Sequence, residues 1–407
     1  IKITLIIMIH VDLSKRNSIF SLILVWIFLT STAPFVFFRW PGHPYKTLSF
    51  LCLFTMVFHL NVGRGVKRVD SSIFAIVLLQ ICYYILISFY HSDFKNINLC
   101  IQLISLCIII SYIKIYVGFD VFVKSFIWIM LIMGVGGTLT FFLHLLGLIT
   151  PIFRVEYGSD ISYFLGLTTT NVFFDSEGIR VIRYAGFFDE PGTFSLFSIF
   201  ALILNKVYFN DKNKELLLIL VTIFTFSIAF YVTIFFYFLF FYVTKKDMKY
   251  VPLIISVVFI CYLSLQNSNG GSLGTIYKLT FERLDFSEDA RGNNNRAGPM
   301  ENDRRIFFNN FLLGVGLGSE EVEGSNVFAV FARYGVIGSF FFYAFLIYLL
   351  LLIVNVPLEN RKLFFKIYIV ILLTFFYRPE LSSVMVLLVF YMLIDYIKSK
   401  KYLNCKN

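Results

Sequence analysis

The sequence predicts an all-α, polytopic membrane protein with about twelve transmembrane helices, and three observations lead to this fold class. Hydrophobic residues make up 58% of the 407 residues, and the mean hydropathy is +0.79. The apolar residues come in runs of roughly twenty, which is the length that crosses a bilayer as a helix. No run alternates as a membrane barrel does, and a helix satisfies its own backbone in lipid. We therefore expect residues 1–407 to form a single integral membrane domain.

The apolar runs define the candidate spans in chain order. They are residues 18–38, 47–62, 72–90, 97–117, 121–149, 193–209, 216–229, 230–244, 251–265, 326–354, 363–377 and 382–397. The first is too long for a cleaved signal peptide, so we interpret it as a signal anchor. The uncharged stretch 216–244 is long for one span and short for two. We expect two short or re-entrant helices that turn near Ser227, because a single crossing would carry the later basic loops to the opposite face.

Lysine and arginine separate to opposite faces of the membrane on this topology. Most of the 20 lysines lie on the inner face, as the positive-inside rule expects, and both termini are then cytoplasmic. The net charge of +10 thus indicates contact with anionic lipid headgroups rather than with nucleic acid. Eleven of the 15 arginines fall on the outer face: Arg39, Arg154, Arg180, Arg183, Arg283, Arg291, Arg296, Arg304, Arg305, Arg333 and Arg378. Planar, bidentate recognition of phosphate is the best reason for arginine to gather there.

Two outer loops are long enough to carry chemistry. Loop A covers residues 150–192, and loop B covers residues 266–325. In loop B, apolar residues at helical spacing across 273–284 predict an amphipathic helix at the membrane interface. Residues 300–313 resume a helical pattern, which the glycine-rich run 314–318 ends.

Loop A carries the first cluster of candidate site residues. Arg180 and Arg183 precede the sequence Asp189-Glu190-Pro191, which opens a membrane helix. An acid and a proline after Asp189 are typical of a helix start with Asp189 as the N-cap residue. The two arginines are either solvated side chains or cations held for a ligand.

Loop B and the spans after it carry the second cluster. Asp303 precedes the adjacent Arg304 and Arg305, which form either local Asp–Arg pairs on an exposed helix or a clamp for a diphosphate. Arg333 follows Asn326 inside an apolar helix, about 10 Å along its axis. It either extends to the outer interface or marks a functional site, as ionisable residues inside spans do. At the last outer turn, Arg378 is a candidate third cation.

Several chemistries have no visible site in the sequence. The five histidines are His10, His43, His59, His91 and His144, and none lies in loop A or loop B. This excludes a histidine metal site or a histidine general base within those loops. There is no nucleotide-binding glycine motif, and the six cysteines form no metal or disulfide pattern. We expect neither a metal nor another cofactor.

Three stretches give the chain its likeness to a known family: Arg183-x-x-Gly186-x-x-x-x-Pro191, then Arg305 with Gly316 after ten residues, then Asn326-x-Phe328 through to Gly335-Val336-Ile337-Gly338. With these stretches, the chain resembles the O-antigen polymerase and ligase superfamily of bacterial membranes, the Wzy-type polymerases in particular. Ligases of this superfamily have a histidine where Ser325 stands, which favours a polymerase. Loop A departs from the ten-residue spacing, because Phe194 stands where a glycine would follow Arg183.

The resemblance implies a GT-C-like fold in the bacterial inner membrane, with both large loops in the periplasm, and a metal-independent glycosyltransferase. The donor would be an oligosaccharide repeat unit on undecaprenyl diphosphate, polymerised into O-antigen or a related surface polysaccharide of lipopolysaccharide biosynthesis. Membrane lipid and a chain-length regulator protein would be partners. The implied roles are a diphosphate clamp of Arg305, Arg304 and Arg183, assistance from Arg180, Asn326, Arg333 and Arg378, and a general base at Glu190 or Asp189.

Two alternatives remain for the function. An O-antigen ligase would transfer finished polymer from the lipid diphosphate to the lipid A core, and Ser325 argues against it. A lipid-linked saccharide flippase would also have about twelve spans. Transporters usually show repeat symmetry and charges in a central cavity, whereas this chain keeps its charges in two outer loops.

Overall fold

The fold is given by a computed structural model that describes residues 18–39, 44–62, 71–157, 160–174, 180–244, 263–264, 297–322, 326–379 and 383–404. Three predicted features lie outside these residues: the amphipathic helix at 273–284, nearly all of the span at 251–265, and the arginines Arg283, Arg291 and Arg296.

The described residues are mostly helical. The helices before loop A are α1 (Ser18–Thr30), α2 (Pro44–Val62), α3 (Ser71–Tyr90), α4 (Asn96–Tyr112, continued by the π-helical Ile113–Val117) and α5 (Phe119–Leu145). Those after it are α6 (Pro191–Tyr208), α7 (Lys212–Ile223), α8 (Ile228–Phe241), α9 (Ala297–Asn309), α10 (Val327–Phe342), α11 (Ala344–Val354), α12 (Leu358–Tyr377) and α13 (Val384–Asn404).

Five helices in the described part of the chain are long and apolar enough to cross a membrane. They are Ser71–Tyr90, Asn96–Val117, Phe119–Leu145, Pro191–Tyr208 and Val327–Val354, the last of which joins α10 and α11. This number is smaller than the twelve spans expected from the sequence. Apolar side chains cover the outward faces of these helices; on α3, for example, Leu86 and Phe89 are exposed. The architecture is that of a helical membrane protein.

Loop A corrects the all-α prediction, because it folds as a four-stranded antiparallel sheet. The strands are β1 (Phe153–Tyr157), β2 (Asp160–Phe164), β3 (Thr169–Phe174) and β4 (Arg180–Gly186), and they pair in chain order. Threonine, valine, isoleucine and aromatic residues recur in these strands, and such residues favour a pleated, half-buried surface. The all-α expectation assigned no strands to this loop. The sheet lies against the membrane helices, and α6 follows β4 closely in the chain.

Residues 216–244 form a helical hairpin, as the sequence predicted. Helix α7 ends at Ile223 and α8 begins at Ile228, and Phe226 between them has a φ of +51°. The turn near Ser227 is therefore confirmed, although no glycine or proline marks it. The two helices run antiparallel, because the Tyr237 hydroxyl near the end of α8 donates to Glu215 Oε1 near the start of α7, at 2.6 Å.

The bundle has a lysine end and an arginine end. At the lysine end, Lys114 pairs with Asp395 (4.0 Å), Lys206 pairs with Glu215 (3.6 Å), and Lys398 lies 5.3 Å from the centroid of the Tyr348 ring. Helices α4, α6, α11 and α13 end there, so their first residues lie at the opposite, arginine end. Loop A, the turn between α7 and α8, and the start of α10 are at the arginine end. For these three lysines, the contacts agree with the separation of lysine from arginine that the sequence predicts.

Candidate active site at the arginine end

Arg183 is a buried cation that joins the sheet to the helical hairpin. It lies on β4 with only 6% of its surface exposed, and its Nε donates to the Thr225 carbonyl oxygen at 3.1 Å. Thr225 follows the last turn of α7, where unpaired carbonyls carry partial negative charge that a guanidinium stabilises. Arg183 therefore holds the hairpin turn in place, and this structural role is separate from any contact with a ligand.

The neighbouring Tyr184 makes a second tie between the same elements. Its hydroxyl donates to the Val221 carbonyl oxygen of α7, and its ring packs 5.4 Å from the ring of Phe194 on α6. Burial raises the pKa of the Tyr184 phenol, which keeps it protonated as a donor. Two adjacent residues of β4 thus fix the sheet against α6 and α7, and this determines where loop A sits over the bundle.

An ion pair between Glu190 and Arg378 connects the start of α6 to the end of α12. Arg378 Nη2 binds Glu190 Oε2, and the Arg378 side chain is 13% exposed whereas that of Glu190 is 44% exposed. Gly192 leaves room for the guanidinium, because a Cβ atom there would lie 2.6 Å from Arg378 Nη1. The structure thereby brings together two site residues that are 188 positions apart in the sequence.

Asp189 is not the N-cap residue that the sequence predicted. Glu190 occupies that position of α6, with extended backbone angles and no side-chain capping bond. Asp189 Oδ1 instead accepts a hydrogen bond from the hydroxyl of Thr193 at 2.9 Å. The backbone of Asp189 also donates to the Pro34 carbonyl oxygen, which ties the helix start to the end of the first span.

Arg180 lies at the start of β4, where its backbone pairs with Phe174. Its side chain is outside the described part of the structure. Arg183 follows three residues later on the same strand.

The second cluster is built on α9 and α10. Asp303 is fully buried, and its Oδ2 accepts a hydrogen bond from Asn326 Nδ2 at 2.6 Å. Asn326 is also the N-cap of α10, since its Oδ1 accepts from the backbone of Ala329 at 3.1 Å. The side-chain amide of Asn326 therefore caps the start of α10 and also holds α9 against α10. Asn326 serves the fold here, in addition to any role in substrate binding.

Asp303 makes no ion pair with Arg304 or Arg305 among the described contacts, so the alternative of local Asp–Arg pairs is not observed there. Asp303 points inward, and its two arginine neighbours point outward from the opposite face of α9. Arg304 pairs with Glu301 at 3.4 Å, and Arg305 donates to Asn302 Oδ1 at 3.1 Å. Both guanidinium groups are exposed, so each retains most of its donors for solvent or a ligand.

Helix α10 is broken at Gly335, and the glycine-rich run of loop B fills the break. Gly335 has φ +62° and ψ −170°, a conformation essentially restricted to glycine. In an unbroken helix the carbonyls of residues 332 and 333 would accept from residues 336 and 337. Here they accept from Val315 and Gly316, both at 2.9 Å, while residues 336 and 337 donate to the carbonyls of residues 311 and 312. The second and third stretches of the family likeness are thus one backbone-paired unit.

Helix α3 adds a hydrogen bond beside this break. The Tyr83 hydroxyl donates to the Tyr334 carbonyl oxygen, one residue before the kink, at 3.2 Å. Gly338 provides the space for this hydroxyl. Further along, Gln80 Nε2 donates to the Phe341 carbonyl oxygen at 2.6 Å. Broken helices inside a membrane persist only where neighbours satisfy the freed backbone groups, and the glycine-rich run does so here, with α3 packed beside it.

Arg333 lies immediately before the break and is only partly exposed. Its Nη2 donates to the Val322 carbonyl oxygen at 3.2 Å, which ties it to the end of loop B. Its Nε is buried and has no hydrogen-bond partner among the described residues. The side chain therefore turns toward loop B rather than standing alone in the span.

The turn between α3 and α4 contributes residues that the sequence did not indicate. Asp93 Oδ2 accepts from the backbone of Gly318 at 2.5 Å, and the ring of His91 lies against Gly316. Lys95 reaches the Gly318 carbonyl oxygen at 3.5 Å. A histidine is thus adjacent to the glycine-rich run, although loop B itself contains none. The expected topology already placed Lys95 on the outer face, together with Lys46 and Lys278.

The contacts described above divide the predicted site residues into two groups at the arginine end. One contains Arg183, Asp189, Glu190 and Arg378, and the other contains Arg304, Arg305, Asn326 and Arg333. No three His, Cys, Asp or Glu side chains come together as metal ligands within the ranges that the structure describes. Comparison of the chain with protein-family models, with curated proteins and with solved structures finds no match.

Proposed function

We propose that this protein is a polysaccharide polymerase, which joins oligosaccharide repeat units carried on undecaprenyl diphosphate. The observation that carries the proposal is the pair Arg304 and Arg305. These two exposed, adjacent guanidinium groups lie at the arginine end, on a helix that packs against a broken membrane span. Fixed, planar cations at a membrane surface suit a diphosphate on a lipid. The family likeness of the same stretch supports this reading.

The proposed reaction transfers a glycan between two lipid-linked molecules. A hydroxyl group on the acceptor attacks the anomeric carbon of the donor, whose bond to the diphosphate oxygen breaks. The acceptor proton passes to a base, and the lipid diphosphate leaves with the bonding electron pair. Negative charge grows on the leaving group in the transition state, so fixed guanidinium groups lower the barrier. Arginine supplies this charge, so the proposed reaction needs no metal.

The roles of the clamp residues follow from their surroundings. Arg304 and Arg305 are the primary ligands of the diphosphate, because they are exposed. Arg183 is already bound to the Thr225 carbonyl oxygen and acts mainly by holding the sheet over the site. Arg333, Arg180 and Arg378 are assisting cations, and Asn326 positions α9 against α10.

Glu190 is the better of the two candidate bases. Its side chain is 44% exposed, and its Oε2 is bound to Arg378. Asp189 accepts a hydrogen bond from the hydroxyl of Thr193, in the first turn of α6. A base must reach the proton that it removes, and the exposure of Glu190 meets this requirement.

The full proposal includes the membrane setting. About twelve spans in a GT-C-like arrangement would place loops A and B in the periplasm and both termini in the cytoplasm of a bacterial inner membrane. A chain-length regulator protein is a proposed partner. The arginine end would then be the outer, periplasmic face.

The test is an electrophoretic ladder of surface glycan from a deletion strain complemented with variants. We expect a single repeat unit on the core in the deletion strain and a full ladder with the wild-type protein. Arg305→Lys should lose most of the ladder, because a point charge cannot reproduce the planar fork. Arg154→Ala is the matched control, since Arg154 is an exposed arginine on β1, outside the proposed site.

Other outcomes of this experiment decide against the proposal. A full ladder with Arg305→Lys and Arg305→Ala would refute the clamp. Bare core with long polymer still on the carrier lipid would indicate a ligase. Repeat units trapped on the cytoplasmic face would indicate a flippase, and a normal ladder in the deletion strain would exclude all three functions.

A further inference from the structure

Helix α9 has two faces with different surroundings. Asp303, Ile306 and Phe307 are buried against α10. The opposite face begins with Arg304 and Arg305 and continues into large apolar side chains: Phe308 is 60% exposed and Leu312, just after the helix, is 61% exposed. The outward surface therefore changes from cationic to apolar along the axis of α9.

The apolar part of this surface continues onto the broken span. Because residues 311 and 312 pair through their backbones with residues 336 and 337, the two exposed faces are adjacent. On the α10 side, Ile337 is 42% exposed and Phe340 is 59% exposed. Ile337 lies ten residues into the candidate span Val327–Val354, beyond the kink at Gly335, so in a membrane-crossing α10 this strip would face the hydrocarbon region.

The arginines lie at the edge of this apolar surface rather than apart from it. The Arg304 guanidinium carbon is 5.8 Å from the centroid of the Phe308 ring, which places the cation over the first apolar side chain. Arg305 is on the same outward face, one residue further. A ligand on this surface would meet two positive charges and then a continuous apolar strip that leads into the bilayer.

We propose that this surface binds the carrier lipid of the substrate from within the membrane. Its diphosphate contacts Arg304 and Arg305, and its isoprenoid chain lies along Phe308, Leu312 and the exposed face of α10. Two adjacent guanidinium groups match the two phosphoryl groups of a diphosphate better than the single phosphate of a phospholipid. This inference rests on the proposed function and adds the route by which the substrate reaches the site, laterally from the bilayer.

Photo-crosslinking in phosphatidylglycerol nanodiscs tests this inference with the full-length protein. Phe308 is replaced by p-benzoylphenylalanine, and radiolabelled undecaprenyl diphosphate is the probe. The matched control carries the same replacement at Phe74, which is 54% exposed near the lysine end of α3. We expect labelling at position 308 to exceed that at position 74 several-fold. Unlabelled undecaprenyl diphosphate should remove it, whereas inorganic diphosphate should not.

A second comparison tests the headgroup contact. Arg304→Gln with Arg305→Gln should reduce labelling at position 308 several-fold and leave position 74 unchanged. Equal labelling at both positions, or labelling at 308 that the lipid diphosphate does not displace, overturns the inference. Strong labelling with a normal glycan ladder in the deletion strain would keep the lipid site and refute the polymerase. A confirmed polymerase without labelling at position 308 would keep the proposed function and refute the lipid site.

Discussion

Single buried hydrogen bonds hold the unusual parts of this protein, and the bond from Tyr83 to the Tyr334 carbonyl oxygen is the clearest example. The glycine-rich run binds the Ala332 and Arg333 carbonyl oxygens where α10 breaks, and the Tyr83 hydroxyl binds the next oxygen along the chain, that of Tyr334. Tyr83 is 8% exposed, so water cannot replace its hydroxyl. An unsatisfied backbone oxygen at this depth in a membrane is unfavourable.

We therefore expect Tyr83→Phe to destabilise the protein by about 1 kcal/mol, a typical value for a hydrogen bond between membrane helices. The measurement is thermal unfolding of the purified protein in detergent. Tyr90→Phe is the matched control, because Tyr90 is at the end of the same helix and is 67% exposed. If both variants unfold at the same temperature as the wild type, the hydroxyl of Tyr83 contributes nothing to the break.

At the scale of elements, the break in α10 depends on glycine at one position. Gly335 adopts a positive φ, and an added Cβ atom would meet the Leu312 carbonyl oxygen of the paired run. Neither the backbone angle nor the close approach tolerates a side chain. The element formed by α9, the glycine-rich run and α10 therefore exists only because this residue has no Cβ atom.

Gly335→Ala should cost about 3 kcal/mol or more, from backbone strain together with loss of the pairing. We expect the variant to lose the glycan ladder and to become sensitive to proteolysis in loop B. Gly298→Ala is the control, because a Cβ atom there meets nothing within 4 Å and the residue lies near the start of α9. A stable, active Gly335→Ala protein would contradict the assigned break.

At the scale of the whole molecule, the hairpin of α7 and α8 decides the topology of everything after it. The start of α7 and the end of α8 meet at Glu215, Tyr237 and Tyr242, so the chain leaves the hairpin at the end where it entered. On the twelve-span topology expected from the sequence, the later lysine-rich loops would then lie on the same side as the earlier ones.

Labelling with a membrane-impermeant thiol reagent tests this topology in a variant without its six native cysteines. We expect Asn213→Cys and Thr244→Cys to be labelled from the same side of the membrane and Glu320→Cys from the other. All three positions are exposed, so reactivity reports sidedness, and permeabilised membranes give the control for total reactivity. Labelling of positions 213 and 244 from opposite sides would show a single crossing and refute the hairpin.

The sequence by itself determined the membrane class, the order of most helices, the turn near Ser227 and the separation of lysine from arginine. These follow from local composition, because lipid leaves an apolar run few alternatives to a helix and charge is sorted between two faces. It also placed Arg304 and Arg305 on a helix, since the spacing of residues 300–313 is a local property.

Only the tertiary structure decided which of these residues meet. The ion pair of Glu190 with Arg378, the burial of Asp303 against Asn326 and the approach of His91 to Gly316 join distant parts of the chain. No local pattern encodes such contacts. The sheet in loop A was missed for the same reason, because strand pairing depends on partners outside each strand. The break in α10 depends on two parts of the chain. Gly335 permits the backbone angle, and the backbone groups of the glycine-rich run make the break stable.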